Sequence, residues 1–158
     1  MCKRAPGRSV RHHALNDLIA GAVASAGIPA TKEPQGLLQS DGKCPDGLML
    51  IPWQAGRSMA WDVTVCCPLA ESYMKAAAWE AGSAAEIVAA PKSTKYAELE
   101  NCYIFQPIAV ESIDPINNSA ASFLGILHRR IADISGEVRE VSNLFQQLSV
   151  LIQCDFTP

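Results

Sequence analysis

Three short stretches of the sequence contain residue types that could support chemistry. They read Lys43-Cys44-Pro45-Asp46-Gly47, Trp61-Asp62-Val63-Thr64-Val65 and Lys92-Ser93-Thr94-Lys95-Tyr96. In the second stretch, the period-2 geometry of a strand places Asp62 and Thr64 on one face and the apolar side chains on the other. Burying an ionised aspartate is costly unless a cation or a hydrogen-bond donor compensates. We therefore expect Asp62 either to cap another group or to bind a metal.

A second carboxylate, Asp46, opens the preceding extended segment and could approach Asp62 across a hairpin. Two adjacent carboxylates repel each other unless a divalent cation lies between them. Mg²⁺ prefers one or two protein carboxylates, with water and substrate phosphate completing its shell. The pair therefore predicts a metal site, although an aspartate in Pro-Asp-Gly is also a common turn residue.

The elements that would position these residues follow from hydrophobic periodicity and from Gly and Pro. Apolar residues from Leu15 to Ala26 have helical spacing, which Gly27 and Pro29 end. Residues 46–53 and 59–65 are predicted to form an antiparallel hairpin, and 30–34 another extended segment. The alanine-rich residues 69–90 favour helix, which Pro91 should end or kink before further turns over 92–99.

Downstream, residues 103–110 predict a strand, and two amphipathic helices follow on either side of Gly136. Hairpin strands followed by a helix and another strand indicate an α/β fold, in which helices flank a mixed β-sheet. The last two helices are additions at the C-terminal end. We expect a single domain over residues 14–156, preceded by a basic, flexible lead-in over 1–13, where Pro6 and Gly7 argue against helix.

The composition of the chain excludes some classes of protein function. The 158 residues are 49% hydrophobic and 18% charged, with a net charge of −3, which excludes a polybasic nucleic-acid coat. No run reaches the roughly 18 apolar residues of a membrane span, and the start lacks an apolar signal core, so we expect an intracellular protein with no membrane partner. The six cysteines include no C-x-x-C pair and are expected to be free thiols. Cys2 with His12 or His13 could end a zinc knuckle begun upstream, but the ligands are too few to assign zinc.

The ordered set of residues resembles the PD-(D/E)xK nuclease superfamily, in the variant whose motif lysine has moved to the following helix. More narrowly, the residues at 11–17, 32–34, 45–48, 61–65, 92–96 and 144–146 resemble the restriction-like endonuclease region at the C-terminal end of non-LTR retrotransposon reverse-transcriptase polyproteins. The resemblance covers residues 8 to 154. It implies a restriction-endonuclease-like fold.

By this resemblance, Asp46 and Asp62 are the acids that bind Mg²⁺ or Mn²⁺. The Val63 carbonyl is a further ligand, and Glu33 is either an auxiliary ligand or an exposed charge before Pro34. Thr64 takes the place of the motif lysine, so the positive charge must come from Lys92 or Lys95. We prefer Lys95, because a helix that restarts after Pro91 would leave Lys92 in a frayed first turn.

The implied activity is hydrolysis of a phosphodiester that nicks target DNA. Its product, a free 3′ hydroxyl, would prime reverse transcription by an upstream reverse transcriptase domain of the same polyprotein, in the nucleus. Cys44 departs from the pattern, since relatives usually have Arg or Lys before Pro-Asp. Two alternatives stay open: an inactive, nuclease-like remnant that only binds nucleic acid or a neighbouring domain, and an unrelated alanine-rich scaffold. His12 and His13 are expected at a helix start or facing phosphate.

Overall fold

The computed structural model describes residues 6–37, 43–67, 72–78, 80–112, 115–136 and 140–153. In this part of the chain, α-helices lie on both faces of a four-stranded sheet, which confirms the α/β class. The helices are α1 (Pro6–Ser25), α2 (Met74–Ala77), α3 (Ser83–Lys95), α4 (Asn118–Ser135) and α5 (Glu140–Gln153). The strands are β1 (Ala30–Lys32), β2 (Gly47–Met49), β3 (Met59–Cys66) and β4 (Ile104–Glu111).

The sheet is mixed, with the strand order β1-β2-β3-β4. β1 and β2 are antiparallel, as are β2 and β3, whereas β3 and β4 are parallel. A parallel pair needs a crossover connection, and the segment that contains α2 and α3 supplies it. The sequence predicts this order of elements correctly, but β2 has three residues where residues 46–53 were predicted.

The two faces of the sheet are covered differently. On one face, α1, α4 and α5 enclose the main hydrophobic core, which includes Trp61, Val63 and Val65 of β3. On the other face, α3 packs against the sheet through small side chains, chiefly those of Ala84, Ala85 and Ala89. β3 is buried along almost its whole length, so its alternate residues point into two different environments.

At Pro6 and Pro91 the helices extend further than expected: Pro6 does not prevent a helix, and Pro91 does not end one. α1 begins at Pro6, so residues 6–13 are helical, where a flexible lead-in was expected over 1–13; residues 1–5 lie outside the described residues. Proline is well accommodated at the first helical position, where its missing N–H has no intrahelical partner. α3 continues through Pro91 to Lys95. Pro91 is exposed, so water can hydrogen-bond the carbonyl that its missing N–H leaves behind, while the inner face of the helix stays packed on the sheet.

The C-terminal part of the chain matches its predicted layout. α4 ends at Gly136, whose φ of 73° is the left-handed conformation that glycine adopts easily. α5 buries Leu144, Leu148 and Ile152 in the main core. In the described part of the chain, no helix is long and apolar enough to span a bilayer.

Cysteines in the described residues are free thiols, as expected: Cys44, Cys66, Cys67 and Cys102. Cys2 and Cys154 lie outside the described residues, so the prediction does not extend to them.

Candidate active site

Asp62 lies in the middle of β3 and faces α3. Its side chain is almost fully buried, with 11% of its surface exposed. The Lys92 ammonium lies 2.5 Å from Asp62 Oδ2 and donates a hydrogen bond of 3.1 Å to the carbonyl oxygen of Val63. The cost of burying this carboxylate is therefore offset by a cation that the chain itself supplies.

Asp46 immediately precedes β2. The β2–β3 register pairs Gly47 with Trp61 and Leu48 with Ala60, so one step further along the ladder Asp46 lies opposite Asp62. The two carboxyl groups lie close enough to interact, since each changes the pKa of the other. The predicted proximity of the two acids is confirmed.

Four hydrogen bonds hold Asp46 in place. Its Oδ2 accepts from the Val63 N–H at 2.6 Å and pairs with His12 Nε2 at 3.1 Å. Its backbone carbonyl accepts from the Glu33 N–H at 3.0 Å and from Asn16 Nδ2 at 3.3 Å. Contacts from α1, β3 and the end of β1 thus converge on one residue outside the strands.

The two carboxyl groups differ in acidity. Burial raises the pKa of Asp62 to about 6 against the opposing charge of Lys92, and the hydrogen bond with Asp46 adds to the rise. Burial also opposes ionisation of Asp46, but the hydrogen bonds from His12, Asp62 and the Val63 N–H outweigh it, so the pKa of Asp46 lies below its ordinary value. Of the two acids, Asp62 is therefore the one that takes up a proton first as the pH falls.

The same contacts act on His12. Its hydrogen bond to Asp46 outweighs partial burial and raises the pKa of the imidazole. Because an ionised carboxylate only accepts hydrogen bonds, His12 must donate to it through Nε2.

The position of Lys92 depends on how α3 is anchored. At the N-terminal end of the helix, the buried Glu111 of β4 accepts hydrogen bonds from the N–H groups of Ala84 at 3.0 Å and Ala85 at 3.2 Å. Lys92 lies near the C-terminal end of this continuous helix, not in a frayed first turn after Pro91. The reason for preferring Lys95 to Lys92 is therefore wrong, although both lysines face the same site.

An open pocket of about 470 Å³ brings the predicted residues together. It is lined by Glu33, Lys43, Cys44, Asp46, Asp62, Lys92, Lys95 and Tyr96. Lys95 Nζ lies 4.8 Å from the centre of the Tyr96 ring and 3.5 Å from its hydroxyl oxygen. Burial raises the pKa of the Tyr96 hydroxyl, and the negative charge of Asp62 adds to this, so the group stays protonated as a donor.

The donor atoms at this pocket suit a hard divalent cation. Carboxylate and carbonyl oxygens such as those of Asp46, Asp62 and Val63 are the ligands that Mg²⁺ and Mn²⁺ prefer. In the residues the structure describes, no three His, Cys, Asp or Glu side chains group as a metal cluster. Water and a substrate phosphate would therefore have to complete the shell.

The contacts of two residues with Asp46 were not found by sequence reasoning. His12 was expected at a helix start or facing phosphate, and Asn16 received no role of its own. They are four residues apart, which places them on one face of α1, and that spacing was the available signal. The contact with Asp46, 34 and 30 residues away, depends on how α1 crosses the sheet.

Comparison with protein-family models and with curated proteins finds no match for this chain.

Proposed function

We propose that this chain is a metal-dependent DNA endonuclease domain with a restriction-endonuclease-like fold. The observation that carries the proposal is the juxtaposition of two carboxyl groups, those of Asp46 and Asp62, which lie opposite each other where β2 begins beside β3, with the Lys92 ammonium on Asp62. A purely structural role explains this arrangement less well, because an apolar residue at position 62 would avoid the desolvation cost.

In the proposed reaction, water adds to a phosphodiester phosphorus and the bond from phosphorus to the 3′ oxygen breaks. The 3′ oxygen takes a proton, which leaves a 3′ hydroxyl and a 5′ phosphate. A bound Mg²⁺ or Mn²⁺ would polarise the phosphate and make water more acidic. Asp46, Asp62 and the Val63 carbonyl would hold the cation, and Glu33 lies at the pocket as an auxiliary ligand.

The cationic residues of the pocket would act on the substrate directly. Lys92 places a fixed positive charge beside the carboxyl pair, where it would stabilise negative charge that develops on the phosphate oxygens. Lys95 and Lys43 line the same opening and would contact the adjoining phosphates, so that Lys43 takes over the contact that Cys44 lacks. The open pocket and the lysines that line it would favour binding of a polyanionic substrate over a neutral one.

The proposal extends to the setting that the sequence resemblance implies. The domain would act in the nucleus on target DNA, beside the reverse transcriptase domain of the same polyprotein, and its 3′ hydroxyl product would serve as a primer. The order of helix, three strands, helix and strand around the site supports this assignment.

A nicking assay on supercoiled DNA with Mn²⁺ or Mg²⁺ tests the activity. Wild-type protein should convert supercoiled to open-circular DNA, and EDTA should stop the conversion. Asp46→Asn and Asp62→Asn should each abolish it, because each removes a charged oxygen ligand. Lys92→Ala should lower the rate by about 100- to 1,000-fold, as for loss of one charge-stabilising donor, and Lys95→Ala by less.

Matched controls separate the site from general charge loss. Asp133→Asn on the exposed side of α4 and Lys75→Ala on α2 remove the same charges elsewhere and should leave nicking unchanged. DNA binding without nicking under any divalent cation would instead establish the inactive, nuclease-like alternative. Loss of nicking in Lys95→Ala but not in Lys92→Ala would restore the preference for Lys95.

A further inference from the structure

Two side chains of α1 contact Asp46: His12 contacts its carboxylate group and Asn16 contacts its backbone carbonyl. His12 Nε2 lies 3.1 Å from the carboxylate oxygen Oδ2, and Asn16 Nδ2 lies 3.3 Å from the backbone carbonyl. We call this pair the α1 clamp. We propose that the α1 clamp is a positioning device that fixes the Asp46 carboxylate for metal binding, an inference that rests on the proposed function.

Asp46 needs such a device because its own strand is weak. β2 has only three residues, and Asp46 lies before its first one. Carboxylate ligands must be held within a fraction of an ångström by groups whose own rotamers are locked, and a residue outside a strand lacks that support. Only the Val63 N–H and the Glu33 N–H reach Asp46 from the sheet among the hydrogen bonds described above.

The orientation of Asn16 is locked from the core side. The buried Trp61 Nε1–H, which can only donate, bonds Asn16 Oδ1 at 2.9 Å. The amide nitrogen of Asn16 must therefore point to the opposite side, toward Asp46. Asn16 is 5% exposed, so its amide has no access to an alternative partner in bulk water.

Trp61 also supports the backbone of the residue that follows Asp46. A Cβ at Gly47 would lie 2.0 Å from the Trp61 ring, so the backbone at Gly47 rests directly on the indole. One buried indole thus supports the backbone after Asp46 and orients the Asn16 side of the α1 clamp. Asp46 is fixed through Asn16, Gly47 and Trp61 on the backbone side and through His12 on the carboxylate side.

The hydrogen bond between His12 and Asp46 also determines the direction of the carboxylate group. His12 and the Val63 N–H both bind Oδ2 of Asp46, which leaves Oδ1 as the oxygen for a shared cation. A carboxylate held through one oxygen cannot rotate about its Cβ–Cγ bond, so the second oxygen keeps a fixed direction. Without His12, one N–H would hold Oδ2 alone.

Mn²⁺ affinity of the DNA-free protein, measured by electron paramagnetic resonance, tests this role. His12→Leu removes the donor at similar size, whereas His12→Gln returns an N–H near the position of Nε2. We expect His12→Leu to weaken Mn²⁺ binding by about 10- to 100-fold, the usual effect of losing a partner of a metal ligand, and His12→Gln to recover most of it. Arg129→Leu, which removes a cationic side chain on the exposed side of α4, should leave the affinity unchanged.

A second measurement needs no metal. In long-range ¹H–¹⁵N spectra of the wild-type protein, His12 Nε2 should appear as a protonated nitrogen, and its ¹⁵N shift should move in Asp46→Asn. Equal Mn²⁺ affinities in His12→Leu and His12→Gln, or an unprotonated Nε2, would overturn the inference. If wild type binds no Mn²⁺, the proposed function fails together with the metal-positioning role, whereas a moved ¹⁵N shift with unchanged Mn²⁺ affinity in His12→Leu removes only the inference.

Discussion

The two faces of the sheet are covered by layers whose buried side chains differ in size. We call the face under α1, α4 and α5 the thick face and the face under α3 the thin face. The face under α1, α4 and α5 buries large side chains, including Trp61, Leu124 and Leu127. The face under α3 buries mostly alanines, with Ala109 of β4 opposite them. The acidic residue of β3, Asp62, points to this second face.

This difference allows one strand to contribute both to the hydrophobic core and to the candidate site. Trp61 and Val63 contribute to the thick core, while Asp62 between them faces a layer thin enough for an open pocket and for the Lys92 ammonium. Alanine side chains let α3 lie close to the sheet, so that a lysine on its last turns reaches β3. The stability of the fold should therefore depend on packing at the thick face, and the proposed nuclease activity on the spacing between α3 and the sheet at the thin face.

The largest effect should come from the thick face. Leu148 of α5 is 3% exposed in the main core, and Leu148→Ala should lower the free energy of unfolding by about 2–5 kcal/mol, because it removes buried methyl groups and leaves a cavity. Chemical denaturation measures this. Val150→Ala, on the exposed side of the same helix, should change it by less than about 0.5 kcal/mol. Equal losses in both variants would contradict this difference between the two sides of α5.

A smaller loss of stability with a larger loss of activity should follow from Ala89→Leu. Ala89 is 5% exposed between α3 and the sheet, and overpacking there should cost about 1–3 kcal/mol. Because α3 must move outward, Lys92, one turn later, should lose its contact with Asp62. Nicking per folded molecule should fall, as measured at a temperature where the variant is folded.

Ala90→Leu is the matched control for this spacing, because Ala90 lies on the exposed side of α3. The Ala90→Leu variant should have the free energy of unfolding and the nicking rate of the wild type. If Ala89→Leu nicks DNA as fast as wild type, the spacing of the thin face does not set the activity.

The smallest effect should come from the exposed pair of Lys32 and Asp17, 2.5 Å apart at the edge of the thick face. The hydrogen bond from Lys32 lowers the pKa of Asp17 below its ordinary value. The folded state therefore gains a slight stabilisation above the unfolded pKa near 3.8, which is lost as the pH falls through the lower folded pKa.

Urea unfolding of wild type and Asp17→Asn checks the sign. The variant should be slightly less stable at neutral pH, and the difference should vanish in acid and shrink in high salt. A difference that grows as the pH falls would contradict this assignment.

The sheet and the acid pair could be predicted because their signals are local. The alternation at residues 61–65 shows which face each side chain takes, and a short hairpin brings Asp46 to Asp62 with no knowledge of the rest of the fold. Hydrophobic spacing likewise predicts α4 and α5. These elements depend on periodicity that the chain carries within ten to twenty residues.

The rest depends on tertiary contacts. Helix propensity penalises Pro91, but packing of the inner face of α3 and an exposed position for the proline keep the helix continuous. That continuity, invisible in the sequence, decides where Lys92 lies. The role of His12 required the angle at which α1 crosses the sheet, since its partner is 34 residues away.

Glu111 fixes the position of α3 along its axis, and therefore the distance from the start of the helix to Lys92. The carboxylate fixes the helix at Ala84, and Lys92 lies eight residues further along, about 12 Å at 1.5 Å per residue. Inserting or deleting one residue between them would turn the ammonium by about 100° around the helix axis and away from Asp62. Changes of residue type on the exposed side of α3 should therefore be tolerated over generations, whereas changes in its length should not.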